Sequence, residues 1–111
     1  MEEAPPGWTG TVMADLCIVP IGMGVSVSKQ VTACEKILRS NPRLETKLHA
    51  YGTNIQGDWD EVFGAIKQCH MEVHRMGTAR ITSSLRFGTR TDRAQTMDDK
   101  VESVESKLKE Q

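Results

Sequence analysis

The sequence is short of aromatic residues, cysteine and long apolar runs, and each shortage removes a class of protein. Aromatic residues make up 5% of the chain, so a sheet that stacks nucleic-acid bases on aromatic rings is not expected. The three cysteines, Cys17, Cys34 and Cys69, are odd in number and far apart, which favours reduced thiols over a disulfide framework. No apolar run approaches the roughly 20 residues that a membrane-spanning helix needs.

The chain also lacks an excess of either charge. Its 14 Lys and Arg residues are matched by 15 Asp and Glu residues, so no overall basic field is available to hold nucleic acid or an anionic membrane. The opening segment Met-Glu-Glu-Ala-Pro-Pro-Gly is acidic and differs from a signal peptide. These features predict a cytosolic protein with neither a nucleic-acid nor a membrane partner.

What the sequence does contain is a regular alternation of strand-like and helix-like segments. Residues 1–9 carry two prolines and no periodicity, which predicts a loose tail before a single domain over residues 10–111. Period-two and 3.6-residue patterns then predict seven elements. In order they are a strand over Thr11–Ile21, a helix from Ser26 or Ser28 to about Ser40, a strand over Leu44–Tyr51, a short strand over Thr53–Gln56, a helix over Asp58–Met76, a strand over Thr78–Phe87 and a helix from Thr96 to about Lys109.

The order β-α-β-β-α-β with an added C-terminal helix predicts an α+β fold, a ferredoxin-like sandwich. Both crossover helices would cover one face of a four-stranded antiparallel sheet and leave the other face open. The open face is predicted to carry Asp15, Cys17, Val19, His49, Tyr51, Thr82, Ser84 and Arg86. This mixture of ring, charge and apolar groups favours a second subunit or a small molecule as its occupant.

The last helix points to self-association. Its apolar residues Met97, Val101, Val104 and Leu108 recur at intervals of four, three and four, and so narrow a stripe suits packing against a neighbouring surface.

One stretch, His49 to Val62, organises the predicted domain. The sequence predicts a turn at Gly52, a short strand, a break at Gly57 and a helix start at Asp58, with Glu61 completing a capping box. Closely spaced backbone amides at a turn and a helix start can hold an anion or a polar ring, although most such turns hold nothing. Gly52 and Thr53 are therefore candidate ligand-binding residues.

Several segments resemble the thiamine-binding protein family. They are Asp-Leu-Cys-Ile-Val-Pro-Ile-Gly (15–22), Val-Ser-Lys-Gln-Val (27–31), Gly-Thr-Asn-Ile-Gln-Gly-Asp-Trp-Asp-Glu-Val (52–62), Gly-Thr-Arg-Thr-Asp (88–92) and Asp-Asp-Lys-Val-Glu-Ser-Val-Glu (98–105). The resemblance covers about Thr11 to Leu108 and implies ferredoxin-like dimers that pair into tetramers. It also implies binding of thiamine or its hydroxymethylpyrimidine half, with no established reaction. Many relatives carry Glu where this chain has Gln56.

A thiamine site would need an apolar wall, polar groups for the aminopyrimidine and little positive charge nearby. Six residues can supply the polar groups and the ring: Asp15, Ser26, Ser28, Tyr51, Asn54 and Gln56. Each also has a simpler explanation, such as interface packing for Tyr51, turn formation for Asn54 and helix capping for Ser28.

Other candidate chemistry is weaker. His70 and His74 have metal-ligand spacing beside Cys69, but without a second ligand pair a histidine packed in the core or an interface is favoured, and no metal or cofactor is expected. Arg90 and Asp92 are typical of a salt-bridged turn, although Arg90 could also reach an anion. No motif of a catalytic nucleophile or nucleotide-binding loop is present. The prediction is a non-catalytic thiamine-binding oligomer, and the alternative is a structural protein whose sheet faces serve self-association alone.

Overall fold

The computed structural model describes residues 3–110; Met1 and Glu2 of the predicted tail, and Gln111 of the predicted domain, lie outside the described residues. Seven elements follow the predicted order. They are β1 (Thr11–Ile21), α1 (Ser28–Ser40), β2 (Glu45–His49), β3 (Gly52–Asp58), α2 (Trp59–Arg75), β4 (Arg80–Gly88) and α3 (Met97–Lys109). Within residues 3–110, no helix is both long enough and apolar enough to cross a bilayer.

The four strands form one antiparallel sheet in the order β2-β3-β1-β4. This order confirms the predicted ferredoxin-like sandwich, in which the first and third strands lie side by side at the centre. The register sets Asp15 of β1 opposite Asn54 of β3 on one side and Arg86 of β4 on the other. Because side chains alternate along a strand, all three share the face that α1 and α2 leave open.

The core lies between the sheet and the helices α1 and α2. The central strands contribute Val12, Leu16 and Ile55, and the helices contribute Leu38 and Val62, all at most 3% exposed. Burial of such side chains is the main stabilising contribution in a domain of this size. The alternation predicted for β1 is confirmed, since Val12, Ala14 and Leu16 face this core.

The cysteines are free thiols. Cys34 and Cys69 are buried where α1 meets α2, and the Cys69 Sγ lies 3.7 Å from the Cys34 carbonyl oxygen. A side-chain hydrogen bond with the Cys34 thiol, together with burial, raises the pKa of the Cys69 thiol. Cys17 is half-buried in β1. This agrees with the prediction of reduced thiols.

Two glycines have a different role from the one predicted. Gly52 was expected to form a turn and Gly57 to break the chain, but both lie inside β3 and neither has a positive φ. Both positions need glycine because neighbouring atoms leave no room for a side chain. A Cβ on Gly52 would lie 2.5 Å from the Leu16 carbonyl oxygen, and one on Gly57 would lie 2.6 Å from Leu44 Cδ2. The reversal before β3 is instead made by Ala50 and Tyr51.

The helix ends confirm some predictions and correct others. Thr96 and Asp99 form the predicted capping box of α3, and Gly77 follows the α2 C-cap with φ of +100°. Neither Ser26 nor Ser28 caps α1, since the N-cap residue is Val27 and no side chain accepts a hydrogen bond there.

At the start of α2, Asp58 accepts a hydrogen bond from the Asp60 amide, as an N-cap residue does. Glu61, however, does not complete the predicted capping box. Its carboxylate instead accepts hydrogen bonds from the side chains of Asn41 and Arg43, each within 3.0 Å.

The tail packs against the domain through an aromatic cluster. Trp8 lies 6.2 Å from Trp59 between ring centroids, and Trp59 contacts Phe63 and Phe87 at 4.8 and 5.6 Å. Gly7, which precedes Trp8, has φ of +82°. It packs so closely against the Thr91 carbonyl oxygen that a Cβ at residue 7 would collide with that oxygen. The tail is therefore in contact with the chain segment that follows β4.

Helix α3 crosses to the open face of the sheet and then leaves the domain. Met97 is 8% exposed, whereas every residue from 98 to 110 is exposed. The apolar residues Val101, Val104 and Leu108 are each more than half exposed. Only the first turn of α3 is anchored to the sheet.

Candidate functional site

A groove of about 810 Å³ lies between the open face of the sheet and the segment that runs from the end of β4 into α3. Its floor is made by outward-facing residues of the central strands, including Met13, Asp15, Asn54 and Gln56. Residues 86–90 and 93–97 form the opposite wall. A cavity of this size suits a ligand of a few rings.

The groove exists because the first turn of α3 is tied to two neighbouring strands. The Gln56 Oε1 accepts a hydrogen bond from the Met97 amide at 2.6 Å. Lys47 of β2 forms an ion pair with Asp98. Both contacts join residues on the open face to the helix start, where amide groups lack partners within the helix. They hold α3 over the sheet without filling the space beside it.

At the edge of the groove, Asp15 is engaged by a histidine. His49 Nε2 lies 2.5 Å from Asp15 Oδ1, while His49 Nδ1 accepts a hydrogen bond from the Tyr51 amide. Because Nδ1 is the acceptor, Nε2 carries the proton and donates it to the carboxylate. Asp15 Oδ2 has no hydrogen-bond partner within residues 3–110. One carboxylate oxygen therefore remains available to a ligand.

The wall formed by the segment between β4 and α3 is held by Arg90. Its guanidinium donates to both carboxylate oxygens of Asp92 at 2.6 Å and to Gln95 Oε1 at the same distance. The hydrogen bond from Arg90 lowers the pKa of Asp92 to about 2. This confirms the predicted salt-bridged turn and leaves Arg90 fully engaged within the protein.

The structure brings together three of the eight predicted site residues. Asp15, Asn54 and Gln56 all line the groove. Thr53 is buried on the opposite face, where its hydroxyl lies 3.2 Å from Glu35 Oε2. Gly52 sits beside it at the start of β3, where it is packed against Leu16.

The other three predicted residues lie away from the groove. Tyr51 is 87% exposed at the turn between β2 and β3. Ser28 lines a separate, shallow depression of about 620 Å³ between α1 and α2. Ser26 lies two residues before Ser28, and the hydroxyl oxygens of the two side chains are 3.4 Å apart.

Sequence reasoning missed part of the groove. The sequence places Arg86 on the open face without marking it as a site residue, and no pattern in it indicates Arg93, Met97 or Lys100, although all four line the groove. The position of Arg86 opposite Asp15 follows from the strand register. No local pattern indicates that α3 turns back over the sheet, which is what brings Arg93 and Lys100 to the same cavity.

The histidines of α2 are engaged elsewhere. His70 Nε2 lies 2.7 Å from the Ser83 hydroxyl, and His74 Nδ1 donates to the Thr78 carbonyl at 2.8 Å. Cys69 is fully buried. Among residues 3–110 there is no group of three or more side chains that could hold a metal ion.

The fold and the groove place the chain among ferredoxin-like α+β proteins with an extra helix over the open sheet face. Sequence comparison then identifies the family, because the profile described as "Thiamine-binding protein" matches residues 14–105. The chain belongs to the thiamine-binding protein family, as the resemblance predicted.

Individual relatives agree. A Synechocystis protein named UPF0045 protein sll0230 is 63% identical over 97 residues, which cover 87% of this chain and 79% of the relative. The crystal structure of a hypothetical protein from Methanocaldococcus jannaschii is similar with a TM-score of 0.80 and 32% identity, covering 86% of this chain and 97% of that one. A Thermotoga maritima structure, named as a candidate thiamine biosynthesis/salvage protein, has a TM-score of 0.73 at 14% identity, covers 85% of this chain and 98% of that one, and supports the fold alone.

Proposed function

We propose that the protein is a small cytosolic binding protein for thiamine or a related hydroxymethylpyrimidine compound, and that it sequesters or senses this ligand rather than converting it. The observation that carries the proposal is the groove, where three polar residues predicted as ligands converge in a member of the thiamine-binding protein family. The name of the Thermotoga maritima neighbour points in the same direction.

The chemistry of the groove suits an aminopyrimidine ring. The Asn54 amide can donate to a ring nitrogen and accept from the exocyclic amino group, and the free oxygen of Asp15 can accept a second hydrogen bond. Met13 and Met97 supply an apolar wall. Gln56 is committed through its carbonyl oxygen to Met97, so its role is to position α3, with its amide group left free to contact a ligand.

Isothermal titration calorimetry with thiamine and with hydroxymethylpyrimidine tests this proposal. The wild-type protein should bind at least one of them, and Asn54→Ala should weaken binding by about tenfold because a ligand group would lose its hydrogen-bond partner. Tyr51→Ala is the matched control, since Tyr51 lies in the adjacent turn outside the groove. Absence of heat at millimolar ligand would contradict the function, and loss of binding in Tyr51→Ala alone would move the site to the turn.

The same proposal includes self-association as a dimer and a dimer of dimers. Val101, Val104 and Leu108 form an exposed apolar stripe on α3, and a second copy of the chain offers a matching stripe. Light scattering should show a dimer or tetramer for the wild type and a smaller species for Val104→Asp. Ser103→Asp adds the same charge beside the stripe and should leave the assembly intact. A monomeric wild type would contradict this part of the proposal.

A second function is supported by the exposure of α3 itself: a structural protein whose surfaces serve self-association alone. The two functions differ in one measurement. If Val104→Asp disrupts the assembly while calorimetry detects no ligand, the structural function is favoured. If a ligand binds, the binding function stands whatever the oligomeric state.

A further inference from the structure

Cationic side chains outnumber carboxylates around the groove. Arg86, Arg90, Arg93 and Lys100 line it, and Asp15 is the single carboxylate among the lining residues. Arg90 is neutralised by Asp92, which leaves three cations, Arg86, Arg93 and Lys100, against the one carboxylate of Asp15. The charge left facing the cavity is therefore positive, in a chain whose overall balance is near zero.

Three of these cations form no direct ion pair within the described residues. Within residues 3–110, no carboxylate oxygen lies within 4.0 Å of the charged nitrogens of Arg86, Arg93 or Lys100. Hydrogen bonds from Arg90 to Asp92 and from the Thr96 amide to Asp99 lower the pKa of these two carboxyls, and Arg93 lies close enough to both carboxyls to lower their pKa further. The cations are thus not held in place by ion pairs within the protein.

The three cations come from different elements of the chain, which argues against an ordinary solvated surface. Arg86 comes from β4, Arg93 from the connecting segment and Lys100 from the first turn of α3. A solvated helix face carries like charges along one element, whereas here three separate elements direct them to one cavity. Like charges brought together repel one another unless an anion is bound between them. The Thr11 hydroxyl on the floor of the groove adds a further hydrogen-bonding group for such an anion.

We propose that the groove binds a phosphate or diphosphate ester of the ring compound, with the phosphoryl group held by Arg86, Arg93 and Lys100 and the aminopyrimidine held at Asn54. This inference rests on the function proposed above. Unmodified thiamine is a cation and gains little from a positive cavity. A phosphoryl group adds a charge of about −1.5 to −2 at neutral pH, and Arg pairs with its oxygens through two parallel hydrogen bonds.

The experiment is a calorimetric comparison of thiamine, thiamine monophosphate, thiamine diphosphate and inorganic pyrophosphate with the full chain. The phosphate esters should bind about tenfold tighter than thiamine or more, because each charge-assisted hydrogen bond adds affinity. The preference should shrink between about 50 mM and about 500 mM salt as the charges are screened. Pyrophosphate should bind more weakly than thiamine diphosphate, since it lacks the ring.

Two variants test whether the groove is the site. Arg86→Gln should reduce the preference for esters over thiamine to about threefold or less, because the phosphoryl group loses a cationic partner and thiamine, itself a cation, does not. Arg80→Gln is the matched control, because Arg80 lies on the same strand and the same face but does not line the groove. Lys100→Gln provides a second test at an exposed helix position where loss of folding is not expected.

The possible failures are distinguishable. If thiamine binds as tightly as its phosphate esters, this inference is overturned and the proposed function stands. If neither thiamine nor the esters bind, both are overturned. A preference for esters that survives both Arg86→Gln and Lys100→Gln would place the anion site elsewhere, and pyrophosphate binding equal to that of thiamine diphosphate would remove the ring from the site. Either result would overturn the inference.

Discussion

Replacing Gly52 by Ala is expected to destabilise the protein, although Gly52 lies in a strand with an ordinary backbone conformation. The added Cβ would lie 2.5 Å from the Leu16 carbonyl oxygen, whereas carbon–oxygen contacts between strands are about 3.3 Å or longer. β1 and β3 would have to separate by roughly 0.8 Å at this point. Gly64→Ala is the matched control, because its Cβ would meet no atom within 4 Å.

The two substitutions should change stability in opposite directions. Overpacking of this kind costs about 1–3 kcal/mol, and about 0.4–1 kcal/mol is offset by the lower entropy of the unfolded Ala chain. For a chain of 111 residues a net loss of about 1–2 kcal/mol lowers Tm by roughly 4–8 °C. Gly64 lies inside α2, where Ala is favoured over Gly by about 0.5–1 kcal/mol. The Tm of the Gly64→Ala variant should therefore rise by roughly 2–4 °C.

Thermal unfolding followed by far-UV circular dichroism measures both variants, at one fixed protein concentration because self-association would shift Tm. A Gly52→Ala protein as stable as the wild type would show that the two strands do not approach as closely as described. A loss of stability in Gly64→Ala would contradict the assignment of open space beside α2. The packing argument is supported only if Gly52→Ala lowers the Tm and Gly64→Ala raises it.

Three further changes have expected outcomes. Leu38→Ala should lower the free energy of unfolding by about 2–5 kcal/mol in chemical denaturation, because this core side chain is 1% exposed and its removal leaves a cavity. Thr96→Ala should cost about 1 kcal/mol and increase hydrogen exchange in the first turn of α3, because it removes half of the capping box. Acidification should release Arg90 from Asp92: the pKa of Asp92 is lowered from 3.8 to about 2, so the ion pair contributes stability above pH 3.8 that is lost as the pH falls towards 2.

Each of these has a result that would contradict it. A Leu38→Ala protein within about 1 kcal/mol of the wild type would place Leu38 outside a packed core. Unchanged exchange at the start of α3 in Thr96→Ala would mean that the contacts of Gln56 and Lys47 with the helix start hold it without the capping box. An NMR titration that finds the ordinary pKa for Asp92 would show that Arg90 does not hold the turn in solution.

Much of the fold could be predicted because local patterns encode it. Alternation over Thr11–Ile21 and the capping residues Thr96 and Asp99 gave elements that the structure confirms. The glycine prediction was wrong for a physical reason: a glycine signals either a positive φ or a close approach, and only the partner strand tells which. The Leu16 carbonyl that excludes a side chain at Gly52 lies 36 positions earlier in the chain.

Only part of the candidate site could be predicted, because local patterns indicate some of its residues and contacts between distant residues bring in the others. Asp15, Asn54 and Gln56 follow from strand alternation and pairing, so their shared face could be inferred. The contact between Gln56 and Met97 joins residues 41 positions apart, and the ion pair of Lys47 with Asp98 joins residues 51 apart. Such contacts set the path of α3 and leave no periodic signal in the sequence. The position of Arg93 and Lys100 beside the groove depends on that path, so it could be learned only from the structure.

The close packing of Gly7 against the Thr91 carbonyl has a practical consequence for anyone preparing this protein. Residue 7 rests on the same connecting segment that carries Arg90 and Arg93, so an affinity tag fused upstream would emerge beside the chain that shapes the cavity. Ligand measurements on tagged material could then report the tag's influence. Cleaving the tag before calorimetry, and comparing the two preparations, would separate that influence from the behaviour of the protein.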